Sequence, residues 1–485
     1  MGDTLPRLAR RPGPRPGVGI VHLGLGAFFR AHGAVYVDEA MTASGGDWGI
    51  VGVSLRRPDQ RDRLVPQGCA YTTVELGPGA SRRRVLEVIE DVLVAPESPA
   101  AVLARMAAPA TRIVSLTVTE KGYCHTPATG RLDHAHPDIL HDLRQPDAPR
   151  SAPGYLVRAL ALRRAAGLAP FTVLSCDNLP ANGPLLRGLV LELAEAVDPA
   201  LARWIAAEAR FPAGMVDRIV PAATQDDIDA LARETGVLDT APVLHEPFRQ
   251  WVIEDDFVPV PGGAARPDLA AVGVELVADV APFEAMKLRM LNGAHSALAY
   301  LGCLAGHVTV AEAVGDPVLS RFLHHLWSVE VAPGLRPPPG TDPAGYARVL
   351  HDRFANPAIR YLTEQVASDG SLKLPQRILA PLAENRAAGR PSAGLTLVVA
   401  AWIRYLAGRN EAGAPITVRD PLAGRLQGPV AGGATPAAAV DAVLDTGQVV
   451  PAALAGDAAF RTDLVAAYAG LCRDGARQAA TRVAG

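Results

Sequence analysis

Lysine is scarce in this chain of 485 residues. Its 47 basic residues include only three lysines, Lys121, Lys287 and Lys373, and all the others are arginines. Arginine keeps its proton at neutral pH, whereas burial or neighbouring charges can lower the pKa of a lysine enough for proton transfer. We therefore expect lysine where an amine is needed, although a coding bias toward arginine would leave the same three residues by accident.

Other scarcities exclude whole classes of protein. No apolar run is long enough to cross a bilayer, and Met1–Pro16 lacks the apolar core of a secretion signal, which predicts a mobile tail. The formal net charge of −3 gives no attraction to nucleic acid or to an anionic membrane. Five scattered cysteines without a C-x-x-C pair argue against disulfides or structural zinc. We expect a cytoplasmic protein, monomeric or homodimeric, that binds small molecules.

The two halves of the chain differ in the spacing of their apolar residues. Short β-branched runs alternate with amphipathic stretches in the first half, which is typical of parallel strands joined by helices. From Pro282 onward apolar residues recur at helical spacing. We predict an α/β fold, with a Rossmann-type dinucleotide-binding domain over 1–280 and a mostly α-helical domain over 281–485. The predicted strands are Gly19–Gly24, Trp48–Leu55, Arg112–Val118 and Phe171–Cys176, and the main later helices are Phe283–Leu301, Pro317–Val331, Tyr346–Phe354, Leu395–Ala407 and Ala453–Cys472.

A glycine turn follows the first predicted strand. Gly24 and Gly26 form a G-x-G pair before a predicted helix, and such a pair lets a pyrophosphate approach the helix N-terminus. The third glycine of the usual fingerprint is missing, with Phe29 in its place. A plain strand-to-helix turn therefore stays an alternative.

Charged residues follow the second predicted strand. Asp59 could bind the ribose hydroxyls of NAD, whereas Arg56 and Arg57 could hold the 2′-phosphate of NADP. A solvated loop explains the two arginines equally well. We predict NAD as the cofactor and keep NADP as the alternative.

The strongest chemical pattern lies on one predicted helix. Glu284, Lys287, Asn292 and His295 fall within about 140° of arc at 3.6 residues per turn. Reduction of a carbonyl needs a proton donor and hydrogen-bond donors to the developing oxyanion, which a lysine and an asparagine can supply while a histidine orients them. No metal is required. A stripe facing water is the alternative, but the neighbouring residues are strongly apolar, so these polar groups need partners or a purpose.

Several segments together resemble one family. Lys287–His295 resembles the K-x-x-x-x-N-x-x-H motif of the mannitol dehydrogenase family, the polyol-specific long-chain dehydrogenases. The resemblance spans nearly the whole chain, and one departure is Phe29, where that family usually has histidine. The other segments, each with the family motif it resembles, are Gly24–His32 (G-x-G-x-F-H-R-A-H), Thr117–Tyr123 (T-x-T-E-K-G-Y), Ser175–Gly183 (S-C-D-N-x-x-x-N-G), Met215–Pro221 (V-D-R-I-x-P) and Asp369–Arg377 (D-G-S-x-K-x-P-x-R).

The resemblance implies a role for each matching residue. Lys287 would be the general acid/base, Asn178 and Asn292 the oxyanion hole, and His295 the group that positions substrate and lysine. Glu120 and Glu284 would move protons to solvent or serve as ion-pair partners. The implied cofactor residues are Gly24, Gly26, Phe28, Arg30 and Asp59. The implied substrate residues are Lys373, Arg377 and Asp217, with a structural salt bridge as an equal alternative for Asp217, and Lys121 receives no role.

The resemblance also suggests a substrate class. Mannitol dehydrogenases of this family tend to carry an arginine eight residues before the lysine of D-G-S-x-K, where this chain has Gln365, and the sugar-acid branch tends to carry glutamine. We expect reversible reduction of D-fructuronate to D-mannonate with NADH, and mannitol or arabinitol oxidation is the nearest alternative. A carboxylate substrate requires a cation, which Lys373, Arg377 or Arg289 could provide.

Two other classes of function are alternatives to a dehydrogenase. A metal site is conceivable because one cysteine and four histidines follow Tyr123, but their spacing fits no standard ligand pattern and the stretch has the composition of a solvated loop. These residues are Cys124, His125, His134, His136 and His141. A non-catalytic module that only binds a cofactor is the third class, and it requires that Lys287 be dispensable.

Overall fold

The protein forms two compact units in a computed structural model, which describes residues 5–77, 79, 81–127, 129–431 and 435–485. The units are Met1–Ala281 and Pro282–Gly485. Their boundary lies one residue from the predicted one.

The first unit contains all the strands assigned in the described residues. In chain order they are β1 (Val18–Leu23), β2 (Gly49–Ser54), β3 (Tyr71–Glu75), β4 (Arg82–Leu86), β5 (Ile89–Val94), β6 (Ile113–Leu116), β7 (His125–Thr126), β8 (Arg131–Leu132), β9 (Thr172–Ser175), β10 (Gly214–Asp217), β11 (Val243–His245), β12 (Gln250–Glu254) and β13 (Glu275–Val277). Its helices are α1 (Ala27–Ala31), α2 (Gly33–Ser44), α3 (Asp59–Leu64), α4 (Pro99–Ala107), α5 (Thr119–Gly122), α6 (Pro137–Arg144), α7 (Ala152–Ala165), α8 (Asn182–Val197), α9 (Pro199–Glu208) and α10 (Gln225–Thr235), with 3₁₀ turns at Val65–Gln67 and Ala270–Val272.

A five-stranded sheet forms the centre of this unit. Its order is β5-β2-β1-β6-β9, and every neighbouring pair is parallel. The chain runs outward from β1 to β5 and then crosses to β6 on the other side of β1. This is the Rossmann order, with a switch point between β1 and β6 where such sheets bind their ligands. The four predicted strands and the predicted fold class are confirmed. Smaller sheets, β10-β12-β13, β11-β3-β4 and β7-β8, complete the unit.

Both faces of the central sheet are buried. Ile20 of β1 belongs to the apolar cluster on one face, and its neighbour Val21 belongs to the cluster on the other. Tyr155 of α7 and Leu186 of α8 pack into the Val21 cluster, while Tyr36 of α2 packs into the Ile20 cluster. A parallel sheet with helices on its faces needs apolar residues in near-continuous runs, which explains the composition of β1 and β2.

The N-terminal segment is an ordered part of the first unit. The backbone N–H of Leu8 donates to the carbonyl of Leu238 at 2.8 Å. The guanidinium of Arg10 pairs with Glu90 at 2.5 Å. The prediction of a mobile tail over Met1–Pro16 is therefore wrong for the residues that make these contacts, and its first four residues lie outside the described ones.

The second unit is mostly helical, as predicted. Its helices are α11 (Ala281–Met286), α12 (Gly293–Ala305), α13 (Val310–Gly315), α14 (Pro317–His325), α15 (Pro343–Phe354), α16 (Thr363–Val366), α17 (Gly370–Leu374), α18 (Ala380–Ala387), α19 (Ala393–Tyr405), α20 (Ala423–Ala431), α21 (Pro436–Leu444), α22 (Ala452–Ala455) and α23 (Ala458–Ala484). The long, largely apolar α19 is buried along most of its length and shares one core with α12 and α23. None of the helices in the described ranges has both the length and the apolar character needed to span a bilayer.

Within the described part of this unit, three helical stretches contain a π-helical turn. The turns are Lys287–Asn292 between α11 and α12, Leu326–Val331 after α14, and Pro375–Leu379 between α17 and α18. A π turn inserts one extra residue into an α-helix and occurs frequently at functional sites. The regular helices predicted for Phe283–Leu301 and Pro317–Val331 are therefore present but interrupted.

Candidate functional site

The chain leaves β1 through a glycine turn at the carboxyl edge of the sheet. Gly24 has a φ of +91°, and a Cβ atom there would lie 2.2 Å from the carbonyl oxygen of Thr117. Only glycine fits because the obstacle is backbone. Gly26 is the N-cap of α1, and a Cβ atom there would meet only the Gly24 oxygen, at 3.8 Å. The space beside Gly26 and the free amide groups that begin α1 fit the pyrophosphate of a dinucleotide.

The other predicted cofactor residues have different surroundings. Asp59 is the first residue of α3, after the end of β2, and is exposed. Phe28 is half-buried, and its ring stacks on His32 with the centroids 5.1 Å apart. Arg30 is buried and donates to the carbonyl of Ala241 at 2.5 Å. This contact favours a structural role for Arg30 over contact with a cofactor.

Phe29, at the position of the missing third glycine, is a core residue. Its ring lies parallel to that of His22 with the centroids 3.4 Å apart. Close packing is made possible by Gly33, where a Cβ atom would lie 2.6 Å from the Phe29 ring. Gly33 thus leaves the room that the Phe29 ring occupies.

A buried histidine links the glycine turn to β6. The hydroxyl of Thr117 donates to the Gly24 carbonyl at 2.8 Å, so its oxygen accepts from Nε2 of His22, also at 2.8 Å. Nδ1 of His22 then accepts from the hydroxyl of Ser115 at 2.9 Å. Burial lowers the pKa of His22 to about 3, so the ring is neutral. His22 was not among the predicted site residues, although a histidine inside an apolar strand was the available signal.

The neutral His22 predicts a specific pH dependence of stability. The unfolded histidine binds a proton below its pKa of 6.5, whereas the folded one resists protonation down to about 3, so the free energy of unfolding falls as pH drops through this window. We expect His22→Gln to lose this dependence, whose slope approaches about 1.4 kcal/mol per pH unit once the pH is below 6.5. Urea unfolding at about pH 7 and about pH 5.5 measures it. The exposed His134 provides the control His134→Gln, and equal slopes for wild type and His22→Gln would contradict the prediction.

Asp177 joins the turn after β9 to the turn after β6. Its carboxylate accepts from the backbone N–H groups of Val118 and Thr119, at 3.0 and 2.9 Å, and from the hydroxyl of Tyr123 at 3.0 Å. Burial raises the pKa of Asp177, and these three hydrogen bonds oppose that rise. The sequence motifs contained Asp177, but its function of holding the two turns together depends on their pairing in space.

Two predicted catalytic residues stand beside this junction. Glu120 follows Thr119 in α5, Asn178 follows Asp177, and both are exposed at the carboxyl edge of the sheet. The backbone is strained here, because Thr119 has a φ of +62° and Ala181 a φ of +47°. Such conformations cost about 1–3 kcal/mol each and cluster at functional sites.

Asp217 occupies the buried end of β10 and pairs in register with Gln250 of β12. The next residue, Arg218, donates to the carbonyls of Ala31 at 2.6 Å and Glu246 at 3.1 Å. Burial lowers the pKa of Arg218 to about 10. The V-D-R-I-x-P segment is therefore fixed by hydrogen bonds from the buried Arg218 to backbone carbonyls of the first unit.

In the second unit, Lys287 and Asn292 lie at the two ends of a π-helical turn. Five residues correspond to about 140° of rotation in a regular α-helix. In this turn, hydrogen bonds join residues five apart, as from the N–H of Gly293 to the carbonyl of Leu288. The two side chains therefore project from one face, one turn apart. The expected α-helical spacing is wrong here, and the π turn aligns amine and amide better than that spacing would.

The polar residues of this helix are largely withdrawn from water. Lys287, Asn292 and His295 are only 7%, 6% and 6% exposed, and Glu284 is half-buried one turn before Lys287. Nδ2 of Asn292 is a buried donor without a hydrogen-bond partner among the described residues. Leaving such a group unsatisfied costs about 1–3 kcal/mol. An open donor in this position can bind an oxygen of a ligand.

Aromatic rings fix the imidazole of His295. The ring of Phe354 lies 4.4 Å from it, centroid to centroid, and Tyr361 meets it at 5.5 Å in an edge-to-face arrangement. These contacts restrict rotation of the imidazole.

Two cations lie close together at the third π turn. Nζ of Lys373 donates to the carbonyl of Ser368 at 2.6 Å and lies 4.0 Å from Asp369. Burial lowers the pKa of Lys373, and the charge of Arg377 lowers it further. Arg377 is half-buried and has no carboxylate within 4.0 Å among the described residues. Its charge is therefore available to an anion.

Arg289, the third predicted cation, is already neutralised. Its guanidinium forms two hydrogen bonds of 2.7 Å with the carboxylate of Glu384. A bidentate pair of this kind leaves little charge for a substrate. The structure thus separates Arg289 from Arg377, which the sequence could not do.

The cysteine and histidines after Tyr123 do not form one cluster. Cys124, His136 and Asp138 have potential ligand atoms within 4.8 Å of one another. However, Nδ1 of His136 accepts from the N–H of Asp138 at 3.2 Å and caps α6. Burial raises the pKa of the Cys124 thiol to about 12, which disfavours the thiolate that a metal binds. His141 contacts the carbonyl of Ala148 at 3.0 Å instead.

A Rossmann dinucleotide-binding unit and a helical unit with a buried amine, amide and imidazole define an oxidoreductase of the dehydrogenase type. Comparison with known proteins agrees. The family model for the mannitol dehydrogenase Rossmann domain matches residues 18–261, and that for the mannitol dehydrogenase C-terminal domain matches residues 279–472. The chain belongs to the mannitol dehydrogenase family.

Relatives with two different names are similar to this chain. D-mannonate oxidoreductase of Escherichia coli (strain K12) is 46% identical over 95% of this chain and 94% of its own. Mannitol 2-dehydrogenase of Pyrenophora tritici-repentis is 42% identical over 94% of this chain and 80% of its own. The structure of Pseudomonas fluorescens mannitol 2-dehydrogenase in ternary complex with NAD and D-mannitol has a TM-score of 0.86 at 40% identity, covering 96% of this chain and 94% of that one.

Proposed function

We propose that this protein reversibly reduces a keto sugar acid, D-fructuronate, to D-mannonate with NADH. The observation that carries the proposal is the pair of neighbouring cations, Lys373 and Arg377, the second of which has no carboxylate partner in the described residues. A sugar acid brings the carboxylate that such a pair binds by charge-assisted hydrogen bonds. The 46% identity to a D-mannonate oxidoreductase supports the same substrate.

The proposed mechanism uses the residues of the π-helical turn. Reduced nicotinamide, when bound, supplies the hydride to the carbonyl carbon. Asn292 donates its open N–H to the substrate oxygen as negative charge develops on it, and Asn178 is the proposed second donor. Lys287 delivers the proton that converts this oxygen to a hydroxyl, and His295 orients the substrate and the amine. The reverse reaction returns that proton to Lys287, and Glu284 and Glu120 are proposed to pass it to solvent.

The cofactor is proposed to lie against the glycine turn. Gly24 and Gly26 hold the pyrophosphate there, and Asp59 binds the adenosine ribose. Phe28 stays a proposed cofactor contact, and Asp217 a proposed residue of the substrate site. The exposed carboxylate of Asp59 and the NAD complex of a relative favour NAD over NADP. Cytoplasmic location and a monomeric or homodimeric state stay predictions.

Oxidation of a neutral polyol is the second candidate. It is supported by the 42% identity to one mannitol 2-dehydrogenase and the TM-score of 0.86 to another. Gln365, in place of the arginine expected for that branch, speaks against it.

We expect kcat/KM with D-fructuronate to exceed that with D-fructose by about 10–100-fold, because a charge-assisted hydrogen bond contributes about 1.5–3 kcal/mol. Loss of NADH absorbance with each sugar, repeated with NADPH, measures the preference. A higher kcat/KM for fructose would contradict the proposal and favour the activity of a mannitol 2-dehydrogenase.

Lys373→Gln tests the origin of this preference. The variant should lose activity toward fructuronate more than toward fructose, because only the first substrate has a carboxylate. The control is Arg289→Gln, which removes a cation that is already paired with Glu384 and should leave the ratio of the two activities unchanged.

A further inference from the structure

We propose that Trp327 is a positioning residue, which maintains the π-helical turn at Lys287–Asn292 and thereby sets the direction of the Asn292 amide. The inference rests on the proposed function, because it concerns the geometry of the same reaction centre, which comprises Lys287, Asn292 and His295. The π-helical turns Leu326–Val331 and Lys287–Asn292 are in contact.

The contact is a hydrogen bond to the backbone of the π-helical turn Lys287–Asn292. Nε1 of Trp327 donates to the carbonyl of Met290 at 2.9 Å. Trp327 belongs to the π-helical turn Leu326–Val331 and is only 2% exposed. Arg377, from the third π turn, approaches the carbonyl of Asn292 at 3.5 Å. Two side chains from distant parts of the chain thus serve carbonyls of the turn that carries Lys287 and Asn292.

These donors bear on the choice between a π turn and an α turn. In a regular helix each carbonyl accepts from the N–H four residues onward, and an inserted residue disturbs this series. A carbonyl that accepts from a side chain can tolerate the disturbance. Loss of the indole N–H would favour return of the turn to α-helical spacing. Because each residue corresponds to about 100° of rotation, Asn292 would then turn away from the face of Lys287.

The π-helical turn that carries Trp327 is tied to α19. In the same π turn, the carboxylate of Glu330 accepts from the backbone N–H groups of Gly394 and Leu395, at 2.6 and 2.8 Å, and so caps the start of α19. Glu330 is 1% exposed. The turn that carries the donor to Met290 is therefore anchored to α19, which is buried along most of its length.

A second path leads from Trp327 to the reaction centre. Its ring stacks on Phe354 with the centroids 6.4 Å apart, and Phe354 in turn lies 4.4 Å from His295. Trp327 thus supports the imidazole through a ring and the asparagine through the backbone. Trp327→Phe keeps an aromatic ring in this stack and removes the hydrogen bond to Met290. The variant therefore isolates the effect of that hydrogen bond on Asn292.

We expect Trp327→Phe to lower kcat for the sugar acid by about 10–100-fold, because a displacement of about 1 Å at reacting groups has an effect of this size. KM and the dissociation constant of NADH should change by less than about threefold, since the oxyanion contact strengthens only in the transition state. Trp327→His, which restores a ring N–H, should recover part of kcat. If the substitution only destabilised the fold, the melting temperature would fall without a selective decrease of kcat at nearly constant KM.

The control is Tyr405→Phe. It also removes one hydrogen bond from a buried ring to a backbone carbonyl, that of Thr417 at 3.3 Å, but away from the π turn. We expect it to leave kcat within about twofold, because the oxyanion donors are untouched. A fall in kcat equal to that of Trp327→Phe would overturn the proposal.

A double-mutant cycle with Asn292→Ala decides how Trp327 acts. If Trp327 works through Asn292, Trp327→Phe should have almost no further effect on kcat in the Asn292→Ala background. Equal effects in both backgrounds would overturn the positioning role and leave the proposed function standing. If Asn292→Ala alone leaves kcat unchanged, the proposed function is wrong in its assignment of the oxyanion donor, and the positioning role falls with it.

Discussion

Lys287→Ala should lower kcat by about 10²–10⁴-fold while NADH still binds, because loss of a general acid removes proton delivery but no cofactor contact. Lys287 is 7% exposed on the helix face that also carries Asn292. Water has little access to replace the missing amine there. Steady-state kinetics with fructuronate, together with fluorescence titration of NADH, separates the two effects. A variant that retains full turnover would instead support the non-catalytic cofactor-binding module.

Arginine replacements of the three lysines sharpen this test. Lys287→Arg keeps a positive charge but cannot release a proton near neutrality, so it should be almost as inactive as the alanine variant. Lys373→Arg keeps the positive charge that binds the substrate carboxylate and should retain most activity. Lys121 is exposed in α5, and Lys121→Arg serves as the matched control. The assignment of Lys287 as acid/base is contradicted if Lys287→Arg is the mildest of the three.

The sequence was sufficient for the Rossmann unit because its signals are local. Strands such as β1 are runs of β-branched and apolar residues, and burial on both faces demands such runs. The turn at Gly24 was predictable for the same reason, since glycine alone readily adopts the positive φ that this turn requires. The role of Phe29 was harder to predict, because its stacking on His22 and its contact with Gly33 exist only in the folded chain.

The reaction centre was predictable in composition but not in geometry. The motif identified Lys287, Asn292 and His295, yet the apolar spacing around them is that of a regular helix. The π turn gains contacts such as that from Trp327, 37 residues away from Met290. Charge availability has the same origin, because the carboxylate that neutralises Arg289 belongs to Glu384, 95 residues further along the chain. Interactions over such separations leave no mark in local sequence.

The two glycines of the turn after β1 should differ strongly in the loss of stability that alanine causes. Gly24→Ala is expected to lower the free energy of unfolding by about 2–4 kcal/mol, because a φ of +91° disfavours alanine and the Thr117 carbonyl blocks its Cβ. Gly26→Ala should change stability by less than about 1 kcal/mol, because Gly26 has a φ of −106° and an open space beside it.

Cofactor affinity separates these two positions further. If the space beside Gly26 receives the pyrophosphate, the methyl group of Gly26→Ala fills it and should weaken NADH binding by at least about tenfold, or ~1.4 kcal/mol. Urea unfolding and calorimetric titration with NADH measure the two quantities on each variant. Gly315→Ala, at a helical glycine whose Cβ would meet nothing within 4 Å, is the control for both. A stable Gly26→Ala protein that binds NADH as tightly as wild type would show that the turn connects strand and helix without holding the cofactor.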